Sequence, residues 1–311
     1  MITSRITVVI CTHNRSELLF QSIDSLNKAN RPLNSAAEIL VIANACNDST
    51  VQKLERYIKS CSDEQLPLKY QEEPFAGKSY ALNRAIQLVT EGFLCFIDDD
   101  QKVDKKFFTA IESAITLKNE RKIFCGKLLP DWTGKEPTWI HETGKYKIFP
   151  FPIPIFNLGD EAIEINASTA HPPGGNLFVH HSVFNEVGVF STELGPTGHN
   201  LAGSEDSDFI IRALNEGIVI QYIPKIIQYH YVDEERLKFS FLMKMSYQRT
   251  RTLTQIKFHK SHSIPLYLWR KLAEYIAQGI FSLSWKRTRF FSMRVASTLG
   301  EIAGFMNSRR S

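Results

Sequence analysis

The chain has 311 residues, 43% of them apolar and 23% charged, with a formal net charge of +4. That apolar content excludes a disordered chain, and the length suits one large domain or a domain with an appendage. Five scattered cysteines (Cys11, Cys46, Cys61, Cys95, Cys125), never spaced as CxxC, argue against a disulfide framework or a zinc site and predict a reducing, cytosolic setting.

In chain order, Ile6 to Cys11 is a continuous apolar run and reads as a strand. With no basic stretch leading into an apolar segment there, no signal peptide is expected. A helix is predicted from about Ser16, with Leu19, Ile23 and Leu26 on one face. The second strand covers 38–44 and a helix follows through 51–58. A weaker strand at 68–71 leads into the helix AGKSYALNRAIQLV. The fourth strand is Phe93 to Ile97, and a helix carrying Phe107, Ile111 and Ile115 precedes a fifth strand at 122–126. Short apolar runs alternating with amphipathic helices predict a parallel sheet covered by crossover helices. From 128 to 171 the pattern dissolves into Pro, Gly and aromatics, as in a lid or binding loop. There Trp132, Trp139 and Phe149 either stack on a substrate or pack the segment down. Residues 172–188 read as turn, strand and short helix, and 199–217 as a loop entering a helix that stops at Gly217. Residues 128–171 and 189–203 are the expected determinants of ligand choice.

The stretch FLCFIDDD places Asp98, Asp99 and Asp100 directly after a strand apolar enough to be buried on both faces. Ligands of open α/β sheets bind at such carboxyl ends. Three adjacent acids repel one another unless a cation sits among them, and Mg2+ or Mn2+ takes oxygen ligands together with substrate phosphates. The alternative is a solvated acidic turn capping a helix that starts near Asp104. AGKS is not a phosphate-binding P-loop, because Glu72 stands where that loop needs its first glycine. A second acidic cluster, Ser204, Glu205, Asp206 and Asp208, opens a predicted helix. Capping accounts for one such acid, not three.

Taken in order, VVICTHNR, VIANACND, AGKSYALNRAI, FIDDD, PPGGNLFVHHSVFNEVGVF and SEDSDFIIRALNEG resemble the family 2 glycosyltransferases of GT-A fold, over residues 5 to 235. The resemblance implies an α/β, Rossmann-like catalytic domain over 1–235, with a mostly parallel sheet and flanking helices; residues 236–311, outside it, read as a helical basic appendage. It implies that Thr12, His13, Asn14 and Arg15 hold the nucleotide, in a strand-to-helix loop whose N–H groups suit phosphate. Many relatives have an Asp at the end of the second strand; here Asn44 offers an amide to the base, and Asp48 closes that loop. Asp100 would coordinate a Mg2+ or Mn2+ ion bridging the donor diphosphate. Asp98 would hold the ribose or the metal, Asp99 would neighbour the donor, His230 would join the metal, and Lys78 would approach the donor. Gly174, Gly175 and Asn176 match a segment facing acceptor or diphosphate. Asp206 matches the catalytic base and Glu205 its neighbour; a sugar hydroxyl needs a carboxylate in reach to attack an anomeric carbon.

The implied activity is metal-dependent, inverting hexosyl transfer from a nucleotide-diphospho-sugar to a saccharide or lipid-linked acceptor, in cell-surface polysaccharide or glycolipid assembly. Two other classes stay open on residues alone. One is a phosphohydrolase with Asp98 as nucleophile, and the other is a nucleotide-sugar binding protein without activity.

Residues 236–311 hold fifteen Lys or Arg against Glu274 and Glu301, a net of +13 that leaves −9 for residues 1–235. The region reads as helical, yet its most apolar stretch, 264–285, is interrupted by Arg270, Lys271 and Glu274 and falls short of the roughly 18 to 20 residues a spanning helix needs. Tyr267, Trp269, Phe281, Trp285, Phe290 and Phe291 mixed with cations suit helices lying in a membrane interface. Peripheral attachment at the cytoplasmic face is therefore expected. The alternative is packing on the catalytic body or on a second copy as a homo-oligomer. No nucleic-acid partner is expected, since the aromatics cluster with aliphatic residues instead of lining a basic groove.

Overall fold

A computed structural model describes residues 4–117, 122–194, 205–257 and 264–307. The expected acceptor loop from 195 to 203, and Ser204, lie outside the described residues. The chain divides into two compact units, one comprising Met1–Asp131 and Ile155–Tyr231, the other Trp132–Pro154 and Val232–Ser311. Along the sequence the two units are interleaved.

The first unit runs β1 (Ser4–Thr12), α1 (Ser16–Lys28), β2 (Ser35–Asn44), α2 (Thr50–Ser60), β3 (Leu68–Glu73), α3 (Lys78–Leu88), β4 (Phe93–Asp98), β5 (Gln101–Val103), α4 (Phe107–Leu117), β6 (Ile123–Asp131), β7 (Ile163–Ile165), β8 (Asn176–His180), α5 (Val183–Val187), α6 (Glu205–Asn215) and β9 (Ile220–Tyr231). The strands form one mixed, mostly parallel sheet in the order β3-β2-β1-β4-β8-β6-β9-β5, with β7 also on β9. β3, β2, β1 and β4 are mutually parallel. β8 inserts antiparallel between β4 and β6.

Strand period two sorts the apolar residues onto the two faces. From β1, Ile6, Val8 and Ile10 join Leu19, Ile23 and Leu26 of α1 and Phe107 and Ile111 of α4 in one core. Val9 points to the other, with Ala81, Leu82 and Ala85 of α3 and Phe209 and Ile210 of α6. Because both faces are covered, the strands read as unbroken apolar runs.

The structure departs from the sequence pattern after the acids. Asp98–Asp100 turn into the short strand β5, which pairs antiparallel with β9, and α4 begins only at Phe107. β6 runs on to Asp131, beyond the expected end at 126, because it pairs with β9 across a register shift between Cys125 and Lys127. Gly126 occupies that bulge. A Cβ there would lie 2.2 Å from the Ile226 carbonyl oxygen. The Asn176 amide restores the interrupted ladder, accepting from Gly126 N at 2.9 Å and donating to Gly126 O at 2.7 Å.

The second unit holds α7 (Phe239–Lys257), α8 (Leu266–Ile280) and α9 (Trp285–Asn307), with 3-10 turns at Thr138–His141 and Glu234–Leu237. Trp132, Trp139 and Phe151 pack with Ile140, Ile153, Val232 and Leu237. Of the two roles open to these tryptophans, packing is the one seen. Phe149, by contrast, is 57% exposed.

Gly126→Ala must displace the Ile226 backbone within a paired strand, so a stability loss of about 2 kcal/mol is expected, read as a lower urea midpoint at unchanged slope.

Candidate active site

β1, β2 and β4 end side by side at Thr12, Asn44 and Asp98. β8 runs the other way, so its first residue, Asn176, pairs with Ile97 and the Gly174–Gly175 turn falls at the same sheet edge. The first residues of α1, α3 and α6 come to this edge too, as the contacts below show. Helix N-termini carry partial positive charge and free N–H groups, which suits phosphate.

The Asp98–Asp100 turn is held from beneath and balanced from above. Asp99 and Asp100 are buried, at 3% and 8% exposure. Ser22 of α1 donates to the Asp99 carbonyl at 2.9 Å, and Thr12 Oγ1 donates to Asp99 Oδ2 at 2.7 Å. The Arg15 guanidinium spans two acids, reaching Asp99 Oδ1 at 2.8 Å and Asp100 Oδ2 at 2.7 Å. Burial pushes the Asp99 carboxyl up to about 7; Arg15 and the Thr12 hydroxyl pull it down, and Asp100 and Asp98 push it further up. For Arg15, burial alone would ease the proton off, but Asp100 and Asp99 outweigh it and hold the charge more firmly than usual. His230, on β9 opposite Gln101, places Nε2 3.5 Å from Asp100 Oδ1. Its Nδ1 lies 2.8 Å from the Tyr231 carbonyl, a group that only accepts, so Nδ1 donates there and the ring is oriented with Nε2 toward Asp100.

Asp98 faces a different set of partners. Its Oδ1 meets Lys78 Nζ at 2.5 Å, and Gln101 Nε2 lies 3.4 Å from its Oδ2. Burial opposes the Lys78 ammonium, but Asp98 overrides it, with Glu205 and Cys11 adding to the effect, and the pKa rises well above that of a free lysine. Lys78 thus lies within the electrostatic reach of both acidic motifs. Asp206 Oδ2 accepts from Gly174 N at 2.9 Å, and a Cβ on Gly174 would lie 3.4 Å from Asp206 Cβ and 3.9 Å from Lys78 Nζ. Two acidic segments more than a hundred residues apart in sequence therefore meet around one lysine and one glycine turn.

Other candidates shape the site through the backbone. Asn14, at φ 54°, accepts from Asn47 N at 2.8 Å and Asp48 N at 3.2 Å and ties the loop after β1 to the loop after β2. His13 Nδ1 donates to the Asn44 carbonyl at 2.7 Å. Asp48 accepts from Thr50 N at 3.0 Å and caps α2. The Asn44 amide, expected at a base edge, is spent on the turn before α3: it donates to Phe75 O at 2.7 Å and accepts from Gly77 N at 2.9 Å. Asn176, expected to face a ligand, is fully buried on Gly126.

The sequence reading missed two buried glutamines beneath the acids. Gln228 Nε2 donates to Gln101 Oε1 at 3.0 Å and to the Gly175 carbonyl at 2.9 Å, and Gln101 Oε1 accepts from Asp98 N at 3.2 Å. The available signals were that Gln101 directly follows the acids and that Gln228 shares a strand face with His230.

The sequence model described as glycosyl transferase family 2 matches residues 7–188, more than half of the chain. The chain belongs to glycosyl transferase family 2. It is 21% identical over 247 residues to the glucosyl-dolichyl phosphate glucuronosyltransferase of Haloferax volcanii, covering 78% of this chain and 74% of that protein. It is 22% identical over 263 residues to the succinoglycan biosynthesis protein ExoM of Rhizobium meliloti, covering 84% and 78%. Its fold is similar to that of the mannosyltransferase PcManGT from Pyrobaculum calidifontis, solved with GDP-Man and Mn2+, at a TM-score of 0.57 and 14% identity over 98% of this chain and 87% of that one. Family membership removes the phosphohydrolase reading.

A divalent cation suits this family 2 site on its own chemistry. Asp98, Asp99, Asp100, Glu205 and Asp206 converge with two fixed cations, Arg15 and Lys78, which leaves an excess of negative charge. Among the described residues no three His, Cys, Asp or Glu side chains are grouped to enclose an ion, and of the expected ligands Asp100 and His230 lie together. Such a partial set fits Mg2+ or Mn2+, which complete their shells with water and substrate phosphates.

A Cβ on Gly175 would lie 2.4 Å from Asp98 Oδ2 and 2.8 Å from Gln101 Nε2, whereas Gly174 has room. Gly175→Ala is expected to weaken nucleotide affinity by about tenfold or more by displacing Asp98, in titration calorimetry, with Gly174→Ala close to wild type.

Proposed function

We propose that the protein is a metal-dependent, inverting hexosyltransferase that moves a sugar from a nucleotide-diphospho-sugar to an acceptor hydroxyl in polysaccharide or glycolipid assembly. One observation carries the reading: Lys78 stands between Asp98 at the end of β4 and Glu205 at the start of α6, with Asp206 on the Gly174 amide beside it. Two acidic segments meeting at one sheet edge support a donor site and a base held together, as a displacement needs.

In this reading the loop after β1 and the β2–α2 loop cradle the nucleotide, in a shape fixed by Asn14, His13, Asn44 and Asp48. Arg15 and Lys78 turn their charge from the carboxylates to the donor phosphates. Asp100 and His230, with Asp98 beside them, would hold Mg2+ or Mn2+, which offsets the charge that builds on a leaving nucleoside diphosphate. Asp206 Oδ2, positioned by the Gly174 N–H, takes the proton of the acceptor hydroxyl as its oxygen attacks the anomeric carbon from the face opposite the diphosphate. A single displacement inverts the configuration. Glu205, buried beside Lys78, positions that ammonium.

The relatives support the acceptor class: one is named for a dolichyl phosphate-linked sugar and the other for polysaccharide biosynthesis. A lipid-linked acceptor would bring the protein to a membrane surface, with the helical second unit as the peripheral contact. No helix among the described residues is long and apolar enough to cross a bilayer.

Asp206→Asn keeps the size and the Gly174 contact but removes the base. Turnover is expected to fall by about 10²- to 10⁴-fold, with donor affinity unchanged. Steady-state kinetics beside calorimetry checks this; full turnover in the variant would remove Asp206 from the role.

A further inference from the structure

We infer that the outer face of α8, continued by the 281–284 turn and Trp285 at the start of α9, is a docking surface for an anionic lipid bilayer. This deepens the membrane contact proposed above and identifies the residues that make it.

α8 is apolar on two sides, and protein packing uses one. Its inner side puts the fully buried Leu268 against Ile302 and Phe305 of α9, with Leu272 beside it. Its outer side shows Leu266 at 85% exposure, Trp269 at 50%, Ile276 at 43% and Ile280 at 73%, and the chain continues with Phe281 at 83%, Leu283 at 105% and Trp285 at 65%. Leu266, Trp269, Ala273, Ile276 and Ile280 recur at intervals of three and four, so on α8 they form one stripe, which Phe281, Leu283 and Trp285 extend past its end. The charged Arg270 and Glu274 fall to one side of it. Exposed apolar residues scattered singly are ordinary, but a contiguous stripe of this kind marks a binding surface.

Charge decides the occupant. Residues 236–311 carry +13, and their two acids are already engaged, Glu301 by Lys271 at 3.0 Å and Glu274 by the Gln278 amide at 2.9 Å. Arg270 on α8, Lys244 and Arg249 on α7 and Arg287 on α9 are exposed cations. A second copy would bring the same excess of cations to the interface, whereas anionic headgroups supply the complement. The aromatics fit as well: Tyr267, Trp269 and Trp285 have an apolar body and a polar tip, the combination favoured at headgroup depth. α8 would therefore lie in the plane of the interface, its stripe among the acyl chains and its cations at the phosphates.

The test is flotation of the intact protein with vesicles of phosphatidylcholine alone and of phosphatidylcholine mixed equally with phosphatidylglycerol. It uses neither donor nor acceptor, so its failure leaves the transferase reading standing, and a failed transferase assay leaves it standing. The comparison is Trp269→Ser/Ile276→Ser/Ile280→Ser, whose fold is verified by an unchanged circular dichroism spectrum and thermal midpoint. The expected result is strong binding to the mixed vesicles, weak binding to the neutral ones, and a loss of about tenfold or more in the triple variant. No binding to mixed vesicles, equal binding to both kinds, or equal binding by variant and wild type would each overturn the inference. So would light scattering that shows a wild-type dimer which the three substitutions convert to a monomer.

Discussion

Carboxylates crowded into a place nearly closed to water impose the constraint around which the catalytic unit is organised. Asp99 and Asp100 are all but buried at the sheet edge, and Glu205 is as deeply placed at the start of α6. Uncompensated, such groups would take up protons or drive the edge apart. Arg15 spans two of them, Lys78 is held by a third and feels a fourth, and Thr12, Gln101 and the Gly174 amide supply hydrogen bonds. Asp99 shows the residual tension, since burial pushes its carboxyl up to about 7 even with Arg15 in contact. In the proposed reading an arriving divalent cation would relieve this tension and would let Arg15 and Lys78 turn to phosphate.

Holding that edge requires backbone and amide groups that take no part in chemistry. Gln228 links β9, β5 and the glycine turn through two hydrogen bonds, and Asn176 bridges the β6 bulge through two more. Every one of these amides is buried, so each missing partner would leave a polar group unsatisfied. Gly175 then has to be a glycine, because the Asp98 carboxylate occupies the place of a side chain. Position, charge and backbone are therefore coupled: moving Asp98 disturbs Lys78, and moving Lys78 disturbs the electrostatic balance of Glu205.

Much of the parallel half of the sheet is legible in the sequence because its physics is local. β1, β2 and β4 are apolar on both faces, and the acids stand out at the end of one of them. The GG turn and the acids opening α6 announce themselves by composition. What pairs across long separations is not legible. β5 is three residues long and offers no periodicity, β6 extends past its apolar run because β9 pairs with it, and the Gln101–Gln228 bond joins residues 127 positions apart. Asn44 and Asn176 have side chains suited equally to a ligand or to backbone, and only the fold reveals that backbone claims them. Trp132 and Trp139 had the same ambiguity, and a small core in the second unit packs against both.

The central claim is that the Asp98–Asp100 turn, with Lys78 and Arg15, is the donor-diphosphate site. Titration calorimetry of UDP, GDP, CDP and dTDP, with and without Mn2+, on the native chain and on Asp100→Ala, tests it most directly. The account predicts tight binding of one nucleotide that requires Mn2+ and is lost in Asp100→Ala. Binding of no nucleotide, or binding of equal strength without metal and in the variant, would contradict it.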